Sequence, residues 1–173
     1  MTDWQAVVGR YAGGMWQTAY RLLNNHDDAA DCVQEAFLAA LEIARRETVR
    51  NWAALLTRLV TCRALDRLRR RMRRAAVEET PPDWAEVASD DAGPVQQAQA
   101  AELADRLCGA LTELPQQQAE VFCLRCFSRL SYRAIARQLD LRPSAVGVVL
   151  HRARRRLQEL LEPVDSREKS HET

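Results

Sequence analysis

Apolar residues recur at helical spacing along almost the whole chain, and no segment sustains the period-2 alternation of a half-buried strand. That single pattern confines the chain to an all-α fold. Val33, Phe37, Leu41 and Ala44 form one stripe. Trp52, Leu55, Leu59, Cys62, Leu65, Leu68 and Met72 form a second, and Leu103, Leu107, Leu111 and Leu114 a third. The periodicity breaks once, over Glu78–Pro94, where three Pro, one Gly and a cluster of acids interrupt it. Such a stretch reads as a linker. The expectation is two small helical domains joined by a flexible acidic linker, the second being a four-helix unit with a helix-turn-helix. Their bounds are 1–76, 77–97 for the linker, 98–162, and a polar tail over 163–173.

Helices are expected over Asp3–Leu23, from near Asp27, and over Trp52–Arg74 with that second stripe inward. After the linker, further helices follow: one after Pro94, one with Pro115 as its first residue, one N-capped by Ser131, and one over Pro143–Leu161. Trp84, within the linker, is expected to dock on one of the helical blocks. No apolar run approaches the roughly 20 residues of a membrane span, and the first residues lack the layout of a secretory signal. The reading is a soluble, cytoplasmic protein with no membrane partner.

Charge is balanced overall, with 25 basic and 24 acidic residues, but it is segregated along the chain. Residues 51–74 hold eight Arg and one acid; residues 75–105 hold eight acids and no base; residues 142–156 hold five Arg and no acid. Two basic blocks around an acidic segment point to two separate surfaces for a polyanion.

The second basic block coincides with the strongest local motif. In Leu130–Leu150, Ile135, Ala136 and Leu139 lie on one helix, Leu141 in a turn, and Val146 and Val149 on the next. Apolar residues therefore fall where two steeply crossing helices must touch. Asp140 occupies the turn position that often holds Gly, and tolerates a left-handed backbone better than most residues. In such a unit the second helix enters the major groove N-terminal end first. Arg142 and Ser144 would lead it, with Arg152, Arg154, Arg155 and Arg156 following as phosphate clamps. The competing reading is an ordinary helical hairpin with a solvated basic face.

Asp27, Asp28, Asp31 and Glu35 gather along one side of the second helix. Three uses are open: a solvated first turn favoured by the helix dipole, a contact surface for a basic partner, or a divalent-metal site. The third helix, rich in Arg, either stays wet or lies along an acidic polymer, and Trp52 at its head could pack or stack on an unpaired base. The five cysteines are an odd count and argue against a disulfide framework. Cys123 and Cys126 supply two ligands where a tetrahedral zinc site needs four, which favours packing. No nucleophile–base pair, phosphate-binding Gly loop or metal cage is legible, so no catalytic residue, metal or cofactor is expected and the chain is read as a non-enzyme.

Taken together, D28AADCVQEAFLAAL, LLTRLVTCRALDRLRRR and LPQQQAEVFCLRC…LSYRAIARQLDL…LHRARRRLQELL resemble the extracytoplasmic-function sigma factors of bacteria, over about residues 5–161. The resemblance implies a dissociable subunit that binds core RNA polymerase and directs it to promoter DNA. It implies polymerase docking by Asp28, Asp31, Gln34, Glu35 and Phe37. It implies −10 element contacts by Trp52, Arg58, Cys62, Arg63, Arg67, Arg69, Arg70 and Arg71, in a domain that holds a non-template base out of the stack. It implies −35 element contacts by Arg142, Ser144, Ala145, Val148, His151, Arg152, Arg154 and Arg155, and an anti-sigma partner that covers the same surfaces. Such blocks are expected to hinge about the linker in the free chain. Several positions depart from the family pattern: Cys62 replaces a frequent Asn, Ala119 an Arg, and the recognition helix runs Ala145-Val146-Gly147-Val148-Val149. Nearly devoid of polar side chains, that run suggests thymine-methyl contacts and DNA shape as the means of reading. The alternative is an autonomous helix-turn-helix regulator, which would bind its site without polymerase.

Overall fold

The computed structural model describes residues 2–78 and 94–162. Helix α1 (Trp4–Leu23) starts where the Asp3 carboxylate accepts from the Ala6 amide at 3.1 Å. It stops at Asn24, whose left-handed backbone (φ 46°) lets its amide donate to the Tyr20 carbonyl at 2.7 Å. The next residue, Asn25, caps α2 (His26–Arg46) by accepting from the Asp28 amide at 2.9 Å. Two adjacent Asn thus end one helix and begin another. The Asn51 side chain accepts from the Ala54 amide at 3.0 Å, at the head of α3 (Trp52–Glu78).

The three helices pack pairwise. α2 buries its small residues, Ala29, Cys32, Ala36 and Ala40, at i, i+3, i+7 and i+11. The stripe expected inward, Val33, Phe37, Leu41 and Ala44, is only half-buried. The helices approach along the small row, and Val33 and Phe37 fill its flanks. On α3 the buried row is Leu56, Val60, Ala64 and Leu68, with Leu55 and Leu65 beside it. Trp52, Leu59, Cys62 and Met72 are half-buried. This differs from the sequence-based stripe because α3 has neighbours on two sides: α1 and α2 on one, the second block on the other.

The second block comprises α4 (Pro94–Thr112), α5 (Gln116–Cys126), α6 (Tyr132–Leu139) and α7 (Pro143–Leu161). Pro115, expected as the first helical residue, is the N-cap of α5, which starts one residue later at Gln116. Ser131 caps α6 through a bond from the Ala134 amide at 3.2 Å. Asp140 ends α6 in the left-handed region at φ 52°, as its place in the turn requires, and Pro143 opens α7. Val121, Leu124, Ile135, Ala136, Val146 and Leu150 form a compact core for α5, α6 and α7.

The two blocks are joined by more than their linker. A single apolar cluster runs from Leu22, Leu65 and Leu68 of the first block to Leu111, Leu114 and Ala119 of the second. α3 touches α4, α5 and α6. The expectation of blocks swinging freely therefore gives way to a packed arrangement, which sequence alone does not reveal. α3 runs to Glu78 and α4 begins at Pro94, so both reach into the stretch assigned to the linker. Trp84 and the 163–173 tail lie outside the described residues. No helix among the described residues is long and apolar enough to cross a membrane.

Candidate nucleic-acid and partner interface

The acidic side of α2 is organised by one guanidinium. Arg67 of α3 donates from Nη1 to Asp28 Oδ1 at 2.7 Å and to Asp31 Oδ2 at 3.0 Å, and from Nη2 to Glu35 Oε1 at 2.9 Å. Arg63 Nε stands 3.8 Å from the other Glu35 oxygen. Three carboxylates against one guanidinium leave the cluster anionic, and fix it in place. Burial works against the charge on Arg67, but the hydrogen bonds to Asp28 and Asp31 outweigh it and hold the group above its usual pKa. Arg67 was expected on the DNA backbone; its guanidinium is instead engaged by α2. Asp31, Gln34 and Glu35 are exposed, while Phe37 is half-buried against the core. Leu38, missed by the sequence reading, is 59% exposed on this same face. The signal was present: an apolar residue at i+4 from Gln34, outside the buried row.

The remaining −10 candidates divide among several surroundings. Trp52 meets Trp4 edge to face, centroids 5.2 Å apart at 78°. The pair walls a cavity of about 680 Å³ between the start of α1 and the α2–α3 loop, with Arg45, Arg46, Thr48 and Val49 around it. Its size falls within the range of small-molecule sites, and an aromatic wall beside two guanidiniums suits an unstacked base and its phosphate. Trp4 was not identified from sequence, because it lies almost fifty residues from its partner. Arg63 and Arg70 are exposed. Arg69 donates from Nη2 to the Leu114 carbonyl at 3.2 Å, and Arg71 from Nη1 to the Leu23 carbonyl at 2.8 Å. Cys62 faces α5: burial, together with the nearby Glu120 carboxylate, pushes its thiol up to about 12. Arg58 lies close enough to act on the same thiol, and its Nε is buried without a hydrogen-bond partner.

The helix-turn-helix presents its second helix outward. Arg142, Ser144, Val148, His151, Arg152, Arg154 and Arg155 are all exposed, and Ala145 is half-buried. Ser144, Val148, Arg152 and Arg155 fall at i, i+4, i+8 and i+11, one continuous face. Val148, 52% exposed, is an apolar feature within it. Arg155 and Arg156 lean on Glu159 at 3.5 and 3.2 Å. Gly147 lies under Tyr132, whose ring edge is 3.6 Å from the position a Cβ would take, and Arg125 stacks over the same ring at 5.4 Å. The glycine thus faces a neighbouring helix. Among the described residues no group of three or more His, Cys, Asp or Glu is arranged to hold a metal ion. Burial pushes the thiols of Cys32 and Cys108 up to about 11 and raises that of Cys123 further, so the thiols stay protonated near neutrality.

Comparison with known proteins agrees with this geometry. The family model for Sigma-70 region 2 matches residues 7–74, and that for Sigma-70 region 4 matches residues 105–157. The chain is 30% identical over 161 residues to the ECF RNA polymerase sigma factor SigE of Mycolicibacterium smegmatis, covering 93% of this chain but only 62% of that protein. It is 26% identical to SigW of Bacillus subtilis, covering 90% and 87% of the two chains. It is 32% identical to SigD of Mycobacterium tuberculosis, covering 88% and 71%. Among solved structures, the sigma factor RpoE of Bartonella quintana, in complex with the anti-sigma factor NepR, shares the fold. The TM-score is 0.59 at 23% identity, over 93% of this chain and 98% of that one.

Proposed function

The chain belongs to the extracytoplasmic-function sigma factors, and from that premise we propose that it is a promoter-specificity subunit of RNA polymerase. The exposed face of α2 formed by Asp31, Gln34, Glu35 and Leu38, together with Asp28, docks on core polymerase. Charge steers that encounter, and the apolar Leu38 and half-buried Phe37 supply contact area once water is expelled. The Trp4–Trp52 cavity receives an unstacked base of the −10 element, with Arg45 and Arg46 at its wall for the backbone and Arg63 and Arg70 further along α3. The exposed face of α7, from Arg142 to Arg155, enters the major groove at −35.

One observation carries this reading: a single chain presents an anionic helix face in one block and an exposed cationic recognition helix in the other. Groove reading on α7 leans on Val148, Ala145 and DNA shape, since Ser144 and His151 are the only polar side chains other than Arg over residues 143–152. A sequestering anti-sigma protein is proposed as a further partner, because the solved relative is bound to one.

Leu38→Asp tests the docking assignment without touching the Arg67 network. Association with core polymerase should weaken by about tenfold or more, as expected for an anchor at an interface centre, with an unchanged melting temperature. Undiminished co-purification of a folded Leu38→Asp chain would remove α2 as the docking face.

A further inference from the structure

A cleft of about 270 Å³ opens at the junction of the two blocks, apart from the acidic face of α2, the Trp4–Trp52 cavity and the recognition helix. α1 supplies Arg10, Gly14, Gln17 and Arg21 to its wall, at i, i+4, i+7 and i+11 and so on one face of the helix. α3 supplies Thr57, and the turn after α5 supplies Ser128.

The charge of this cleft is one-sided. None of the residues lining it is acidic. The ion pairs of the described residues involve neither Arg10 nor Arg21. Arg10 rests its guanidinium over the Tyr11 ring, 5.6 Å from the centroid, and Arg21 donates from Nη1 to the Phe127 carbonyl at 3.1 Å. A guanidinium carries five N–H donors, so both side chains keep donors for a further acceptor.

Ser128 adds a neutral donor on a fixed turn. The Phe127 and Ser128 amides both donate to the Cys123 carbonyl, at 2.9 and 3.2 Å, and the Leu130 amide donates to the Leu124 carbonyl at 3.0 Å. The Ser128 hydroxyl oxygen is buried and has no hydrogen-bond partner among the described residues. A buried hydroxyl is costly until it is bonded. Gly14 keeps the α1 wall open: a Cβ there would meet nothing within 4 Å, so no neighbour in the fold demands the glycine, although a glycine inside a helix weakens it.

Two guanidiniums, a buried hydroxyl and no carboxylate make the donor set of an oxyanion site. The volume lies just under that of ordinary small-molecule pockets, which suits one or two phosphoryl groups with the rest of the molecule outside. We propose that this cleft binds the phosphoryl end of a small phosphorylated molecule, held between Arg10 and Arg21 with Ser128 donating to one of its oxygens. The site goes beyond promoter recognition and needs nothing from that reading. Its walls come from both blocks, so the ligand binds the packed chain and stabilises it by mass action.

Inorganic pyrophosphate is the probe, titrated calorimetrically into the full free chain at an ionic strength held constant with chloride. One site per chain is expected, and a melting temperature that rises with pyrophosphate but not with chloride. Ser128→Ala, which removes no recorded side-chain hydrogen bond, and Arg10→Gln should each weaken binding about tenfold or more. Gly14→Leu should fill the cleft and abolish binding, while its melting temperature without ligand stays equal or rises through helix propensity. Arg137→Gln, on the exposed side of α6 and outside the cleft, should change nothing. Absence of saturable binding, or binding that Ser128→Ala and Arg10→Gln leave intact, would overturn the proposal, and these two variants decide it even if Gly14→Leu does not fold. A single-stranded oligodeoxynucleotide is titrated in parallel. If it binds in a Ser128- and Arg10-dependent way and pyrophosphate does not, the cleft is a contact for a DNA strand and the proposal falls.

Discussion

α3 and α7 carry the two Arg blocks, and in the sequence these look alike. In the structure they do opposite work. On α3, Arg67 is bound by three carboxylates of α2, Arg69 donates to the Leu114 carbonyl in the α4–α5 turn, and Arg71 to the Leu23 carbonyl of α1. On α7, Arg152, Arg154 and Arg155 project into solvent, and the ion pairs recorded along the helix reach only Glu159. The difference teaches that a run of cations is not yet a cationic surface. What matters is which acceptors the fold brings to it. α3 is central, with neighbours on two sides, so much of its charge is spent on holding the molecule together. α7 lies with one side on the apolar cores and its Arg-bearing side largely exposed.

Alkaline unfolding should separate the two regions most strongly. Cys32, Cys62 and Cys108 ionise in the unfolded chain near 9.0, while in the fold burial holds them at about 11, 12 and 11. Between those values the unfolded chain has released protons that the native chain retains. Stability contributed by the neutral thiols is therefore complete below pH 9 and is lost as pH rises towards 11–12. The first block and the junction should melt before the core of Val121, Ile135, Val146 and Leu150. Thermal scans read by residue-resolved hydrogen exchange at stepped pH would check this, and simultaneous loss of both regions at unchanged pH sensitivity would speak against it.

Substitution sharpens the same contrast. Arg67→Ala leaves three carboxylates facing one another and should cost about 1–3 kcal/mol, discounted for their partial exposure. Arg152→Ala should leave stability within about 0.5 kcal/mol. It should instead lower the salt dependence of duplex promoter binding by about one unit of log–log slope. Chemical denaturation and a salt titration of the two variants side by side test the pair. Exchanged behaviour would reverse the roles given to α3 and α7. The smallest effect belongs to Gly147→Ala, since the added Cβ meets the Tyr132 ring only at ordinary contact distance, 3.6 Å. It should stabilise the chain by up to about 1 kcal/mol through helix propensity, measurable as a raised melting temperature.

The parts legible in the sequence are those whose determinants are local. The helix-turn-helix announces itself within twenty residues: Ser131 caps, Asp140 turns left-handed, Pro143 restarts the helix, and Ile135, Ala136 and Val146 pack where spacing says they must. The acidic face of α2 is legible for the same reason. What escaped are pairings between distant residues. Arg67 finds Asp28 39 positions away, Trp4 finds Trp52, and Arg69 finds Leu114 45 positions away. Periodicity fixes which side of a helix is apolar, but not which of two apolar neighbours covers it. That is why the inward stripe of α3 was drawn through Leu59 and Cys62, while the deepest row is Leu56, Val60, Ala64 and Leu68.

The most direct test is transcription reconstituted from purified core polymerase, this chain and a genomic promoter library, read by sequencing RNA 5′ ends. The account predicts a discrete set of start sites that depends on the chain. Their upstream regions should share two elements at fixed spacing, and Leu38→Asp should lower transcript yield across the whole set at limiting chain concentration. If a folded chain with core polymerase that is active with another sigma factor initiates at no defined site, the account is wrong.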